Sequence, residues 1–164
     1  MLKTRLIFLF ILFLGTNFSY AKNVVQSFDK TAFYEAMKSE SIEMISDEIA
    51  KVQAASIKEK EAYQGALLMK KAGLLKKPKD KLQVFKQGGK KLEAAIANDN
   101  DNVEYHFLRL TIQEHAPKIL KYNKQIGNDA QFVKAHFKTL PPEAQQAVID
   151  YAKTSKALHP QDFN

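Results

Sequence analysis

Apolar residues recur at helical spacing along most of the chain, and the arrangement is clearest between Asp101 and Tyr122. At about 100° per residue, Val103, Phe107 and Leu110 share one side, while Tyr105, Leu108 and Ile112 share roughly the opposite side. A surface helix carries one apolar stripe, whereas a helix that is apolar on two sides packs between neighbours. The segment therefore reads as the central rod of an all-helical layer. Asp101 takes the N-cap position with Glu104 three residues later, the spacing of a capping box. Pro117 ends or kinks the helix.

The flanking sequence supplies the other elements. Asp29 to Lys38 is a short helix carrying Phe33, Tyr34 and Met37. Ser41 to Ala55 places Ile42, Ile45, Ile49 and Val52 in one stripe, with Glu43, Asp47, Glu48 and Lys51 on a solvated face. Lys58 to Ala72 turns Ala62, Tyr63, Ala66, Leu67 and Met69 inward, with Gly73 as C-cap. Pro78 opens a helix running to about Ala97, whose stripe holds Leu82, Phe85, Gly89, Leu92 and Ile96. Beyond Pro117, Lys118 to Lys124 reads as a short helix, and Gly127-Asn128-Asp129 as a turn that caps a helix from Ala130 to Leu140. Pro141-Pro142 starts the last helix, Glu143 to Leu158, and residues 159–164 form a frayed tail. The fold class is all-α, with antiparallel helical hairpins stacked in a repeat-like or irregular bundle of six to seven helices.

The first 21 residues fall outside this pattern. Lys3 and Arg5 precede the apolar run LIFLFILFLG, and Ser19-Tyr20-Ala21 offers small residues at a cleavage site, so residues 1–21 read as a signal peptide. The run is shorter than the roughly 20 residues of a membrane-spanning helix; an uncleaved anchor is the alternative. The sequence has no cysteine, which removes disulfides, thiolate metal sites and a cysteine-linked lipid anchor. The expected product is an exported periplasmic or extracellular bacterial protein, not lipid-anchored, with one helical domain over residues 22–158 and no integral membrane segment after cleavage. Few glycines and prolines and abundant Ala, Lys, Glu, Gln and Leu agree with helix.

Charge is uneven. The full chain carries +7, and loss of Lys3 and Arg5 leaves +5. Residues 65–91 concentrate Lys70, Lys71, Lys76, Lys77, Lys79, Lys81, Lys86, Lys90 and Lys91 against Asp80 alone. This is either a solvated face or a patch for an anionic partner. It lacks the arginines and interleaved aromatics of a nucleic-acid surface, so no nucleic acid is expected.

Gly88, Leu92 and Ala95, at spacings of four and three, resemble the second helix of a tetratricopeptide repeat. The family's proline five residues later is Asn100 here. Gly65 or Ala66 would serve the first helix, although more than 20 residues separate them from Gly88 where the family has about 12. The resemblance covers about one degenerate repeat, within 62–102, with an enlarged turn. It implies stacked antiparallel helix pairs and a scaffold for protein segments, and it carries no ligand-contacting residues over. Gly88-Gly89 itself reads as close helix packing or a kink, or else as backbone exposed for a ligand.

Catalytic motifs are lacking. The four histidines include no i, i+4 pair and no HExxH, and no G-x-S-x-G occurs. His106, Arg109 and Gln113 line one polar edge of the central helix; Glu104, Thr111 and His115 line the other. Such edges either hold a site or cap neighbouring helices. The reading leans away from an enzyme, toward an exported module binding a protein or peptide, with no cofactor and no metal. The alternative is a binder of anionic envelope components through residues 70–91. An enzyme with a site at His106, Arg109 and Gln113 is the third reading.

Overall fold

The apolar periodicity resolves into seven α-helices, with no strand, across residues 28–163, which the computed structural model describes. They are α1 (Lys30–Lys38), α2 (Ile42–Ala54), α3 (Lys60–Leu74), α4 (Pro78–Asn98), α5 (Val103–His115), α6 (Ile126–His136) and α7 (Pro142–Ala152). The expected signal peptide lies outside the described residues. No described helix is long and apolar enough to cross a membrane.

Local chemistry sets most boundaries. Asp29 caps α1 by accepting from the Ala32 amide, and Ser41 caps α2 by accepting from Met44. Pro78 and Pro142 occupy the first positions of α4 and α7, where a missing N–H costs nothing. At α5 the expected capping box is replaced. Asn102, not Asp101, accepts from the Tyr105 amide at 3.3 Å, and Glu104 turns into the core. Gly73 lies inside α3, which ends at Leu74.

α5 is the central rod. Ten of its thirteen residues are buried, including Val103, Phe107 and Leu110 on one side and Tyr105, Leu108 and Ile112 on the other. It packs against α3, α4, α6 and α7, and Tyr34 of α1 reaches it through Phe107. Between α1 and α3, Phe33 stacks on Tyr63 with ring centroids 4.2 Å apart and ring planes 25° from parallel, which buries a large apolar area.

α3 and α4 run antiparallel, with Glu61 opposite Lys91 and Gly73 opposite Lys81. They cross at Gly65 and Gly88. A Cβ on Gly65 would lie 2.7 Å from the Leu92 nitrogen, and one on Gly88 would lie 2.6 Å from the Gly65 carbonyl oxygen. Gly88 is therefore a close-packing residue, and Gly88, rather than Gly89, is the buried member of the pair. Backbone atoms cannot swing aside, so the helices themselves must separate. Gly65→Ala and Gly88→Ala should each lower stability by about 1–3 kcal/mol in urea unfolding, despite alanine's better helix propensity. Gly73→Ala, exposed with nothing within 4 Å of its Cβ, should instead gain about 0.5–1 kcal/mol. Equal effects at all three positions would contradict the close crossing.

The C-terminal third departs most from expectation. Lys118 to Lys124 forms only a 3-10 turn, Lys118–Leu120, which ends at Lys121 with φ of 51°. Gly127, Asn128 and Asp129 belong to the first turn of α6 rather than to a preceding turn. α7 stops at Ala152, and fully buried Leu158 arrives on a loop. The expected frayed tail instead forms a 3-10 turn, Pro160–Phe163. Phe163 packs on Phe137 at 4.7 Å, and Asp162 pairs with Lys134 at 2.9 Å. Glu48, expected on a solvated face, is 3% exposed, whereas Ile42 is 38% exposed.

Candidate functional site

A groove opens between α1, α3, α4, α5 and α7, with a volume of about 520 Å³. Phe107, Leu108 and Ile112 of α5 form its floor. Met37, Met69, Leu74 and Phe85 form its walls, and Lys38, Glu40, Lys70, His115 and Asp150 stand at the rim. The groove is apolar because its polar atoms are directed elsewhere. Tyr34 and Tyr151 line it, while their hydroxyls donate to Glu104 and Glu114, each at 2.6 Å. Thr111 donates to the Leu108 carbonyl, and His115 Nδ1 donates to the Thr111 carbonyl. The rim charges are held in pairs, Lys70 with Glu40 at 2.9 Å and Asp150 with Lys153 at 2.8 Å. Those lysines keep both carboxyls below the usual carboxylate range. What the groove offers is burial of an apolar ligand surface with charges at its margin, within the size range of ordinary ligand sites.

The first polar edge of α5 is brought together in part. His106 and Arg109 converge on Asp129, from the first turn of α6, while Gln113 does not join them. Arg109 donates from Nε to Asp129 Oδ2 at 2.8 Å and from Nη2 to Oδ1 at 2.7 Å. A third donation runs from Nη1 to Glu93 at 2.9 Å, and the Tyr122 hydroxyl reaches the same carboxylate at 2.5 Å. His106 lies 2.7 Å from Asp129 through Nδ1 and 2.8 Å from the Asn100 carbonyl through Nε2. Burial alone would raise the Asp129 carboxyl, but the Arg109 and His106 hydrogen bonds outweigh it and hold the group low. Asp129 is fully buried. Gln113 is buried with Oε1 lacking a partner among the described residues. The groove has none of these side chains in its lining. Geometrically this edge is a clamp that fixes α6 and the segment after α5 onto the rod.

On the second edge Glu104 turns inward and is buried, while half-buried Glu114 lies on the Val103–Phe107 side of the helix. Glu104 accepts from Tyr34, from Tyr63 at 2.8 Å and from Lys30 at 2.7 Å, uniting α1, α3 and α5. Burial, reinforced by the Glu104 charge, pushes the Tyr34 and Tyr63 hydroxyls well above the usual range, so both remain protonated donors. Glu114 accepts from Tyr151, Ser155 and the amides of Lys156 and Ala157, which fixes the loop carrying Leu158. Burial raises its carboxyl, and the Ser155, Tyr151 and backbone hydrogen bonds reverse this to a net lowering. A polar-edge position is the only sequence signal for Glu104, and Glu114 stands among apolar positions; their tyrosine partners lie 37 to 70 positions away.

The lysine cluster is on the surface of the α3–α4 hairpin. Lys91 pairs with Glu61 at 2.8 Å, Lys70 is paired as above, and Lys81 donates to the Gly73 carbonyl at 3.0 Å. Lys71, Lys76, Lys77, Lys79, Lys86 and Lys90 make no ion pair among the described residues. Among the described residues no group of three or more His, Asp or Glu side chains is arranged to hold a metal ion. No family model, curated protein or solved structure matches the chain.

Proposed function

We propose that this protein is an exported helical scaffold that receives an amphipathic segment of another protein in the groove between α1, α3, α4, α5 and α7. The observation that carries the reading is the apolar lining itself, floored by a rigid, doubly packed helix and walled by Met37, Met69 and Leu74. Unbranched methionine side chains adapt to the shapes of different apolar partners. Helix-lined grooves accept apolar side chains spaced at i, i+3 or i+4, and i+7. The stretch around Gly88, Leu92 and Ala95, which resembles a tetratricopeptide repeat, supports the same role.

The test is selection of amphipathic peptides from a displayed library on the chain from Lys22, followed by fluorescence polarisation. Leu74→Glu and Met37→Glu alter half-buried wall positions, so the fold should survive, as circular dichroism would verify. Either change should weaken a selected peptide by about tenfold or more, with little dependence on salt. Peptides that bind both variants unchanged, or failure to select any, would refute the reading.

A further inference from the structure

The protein carries a second exposed surface, distinct from the groove, that joins two segments far apart in sequence. Among the described residues, Ile119 and Leu82 are two of the few large aliphatic side chains in solvent, at 87% and 42% exposure. Leu82 sits on α4 with Lys79 and Lys86 about one turn to either side on the same face. Ile119 projects from the 3-10 turn Lys118–Leu120, between exposed Lys118 and Lys121. Tyr122 seats the end of this segment on α4: its ring meets Phe85 edge-on at 5.5 Å, and its hydroxyl binds Glu93. Phe85 lies one turn from Leu82 on α4, and Tyr122 three residues after Ile119, so the Phe85–Tyr122 contact links the two segments. The α3–α4 turn adds Lys76 and Lys77 there, and Asp80 is the nearest acidic residue in sequence.

We infer that this end of the molecule docks on an anionic phospholipid bilayer, with lysines against the headgroups and Leu82 and Ile119 inserted below them. Charge complementarity selects the occupant. Ammonium groups that lack carboxylate partners gain from a negatively charged surface and are screened by salt. Both aliphatic residues project outward, and Ile119 tops a turn. Exposed apolar residues flanked by lysines fit the headgroup–acyl boundary of a bilayer, where lysine stems also bury while their charges stay wet. A hydrated polyanion would engage the lysines and leave Ile119 and Leu82 without a role. Nucleic acid is disfavoured on the same ground, since Arg109, the sole arginine among the described residues, is committed to Asp129.

Vesicle co-sedimentation tests this. Large unilamellar vesicles of phosphatidylglycerol and phosphatidylcholine are compared with phosphatidylcholine alone. Both the full chain and the chain from Lys22 are used, because the apolar run of residues 6–15 would itself partition into bilayers. The chain from Lys22 should sediment with the anionic vesicles, remain free with neutral ones and dissociate in 0.5 M salt. Lys79→Glu combined with Lys86→Glu should weaken partitioning by about tenfold or more. Ile119→Ser and Leu82→Ser should each weaken it several-fold while leaving the melting temperature unchanged, since neither residue is part of the core. Binding by the full chain alone would overturn the proposal. So would vesicle binding that ignores both serine variants, or equal affinity for soluble heparin, either of which marks a general polyanion surface.

Discussion

Arg109→Met should destabilise the protein by about 3–5 kcal/mol, because it strands a carboxylate that has no access to water. Asp129 is fully buried and takes two of its hydrogen bonds from the Arg109 guanidinium. Methionine nearly fills the space but donates nothing. His106 remains as the one other donor to Asp129, and the contact between the rod and α6 loses its strongest link. Replacing both members behaves differently. Arg109→Met with Asp129→Leu removes the charges together, so the double variant should lose clearly less than the sum of the singles. Urea unfolding of the two singles and the double measures the coupling. A loss under about 0.5 kcal/mol for Arg109→Met would show that the edge is not structural and would return it to consideration as a site.

Asp129 and, separately, Glu114 make stability depend on acid. The folded-state carboxyls of Asp129 and Glu114 lie below their ordinary values. Each therefore contributes fully above its unfolded pKa, near 4, and the contribution disappears as pH falls through the lower folded value. Wild-type stability should fall steeply below about pH 4. In Arg109→Met the Asp129 share of that slope should be largely absent, because the partner that held the carboxyl low is gone.

The elements that were legible from the sequence are those fixed by local periodicity and by proline. The buried character of α5 follows from apolar residues at 103, 107, 110 and at 105, 108, 112, and Pro78, Pro117 and Pro142 mark real boundaries. What was hidden depends on partners distant in sequence. In Asp99-Asn-Asp-Asn102 several residues could cap α5, and the path of the backbone selects Asn102. Gly127-Asn128-Asp129 has turn composition, but burial of Asp129 between Arg109 and His106 draws it into α6. Glu48 and Glu104 look like solvent-facing residues until the packing of their neighbours is known. The groove takes walls from five helices spread over more than 100 residues, so no local pattern could outline it. Of the polar edge at His106, Arg109 and Gln113, two residues meet in space on Asp129, which lies in a stretch of turn composition.

Truncation on either side of α5 should be costly. Leu108 and Leu110 are 1% and 0% exposed and point about 160° apart on the helix. Phe107 and Leu108 are less informative as a pair: they lie about 100° apart and border the same groove. Leu108→Ala and Leu110→Ala remove the same atoms, so any difference between them reports the surroundings. Both should fall within about 2–5 kcal/mol, the range for buried leucine truncation. Leu110 should lie near the upper end, because the cavity left in a closed core must remain or collapse at a cost. Leu108 should lie near the lower end, because its loss only deepens a groove that already opens to solvent. Such a domain has about 5–15 kcal/mol of total stability, so the double variant should be largely unfolded at 37 °C. Urea unfolding of the single variants decides the matter through the shift in midpoint at constant slope. A neutral Leu108→Ala beside a damaging Leu110→Ala would mean that α5 is buried on one face only, and the floor of the groove would then be a loosely packed surface rather than the rigid platform that binding a partner segment requires.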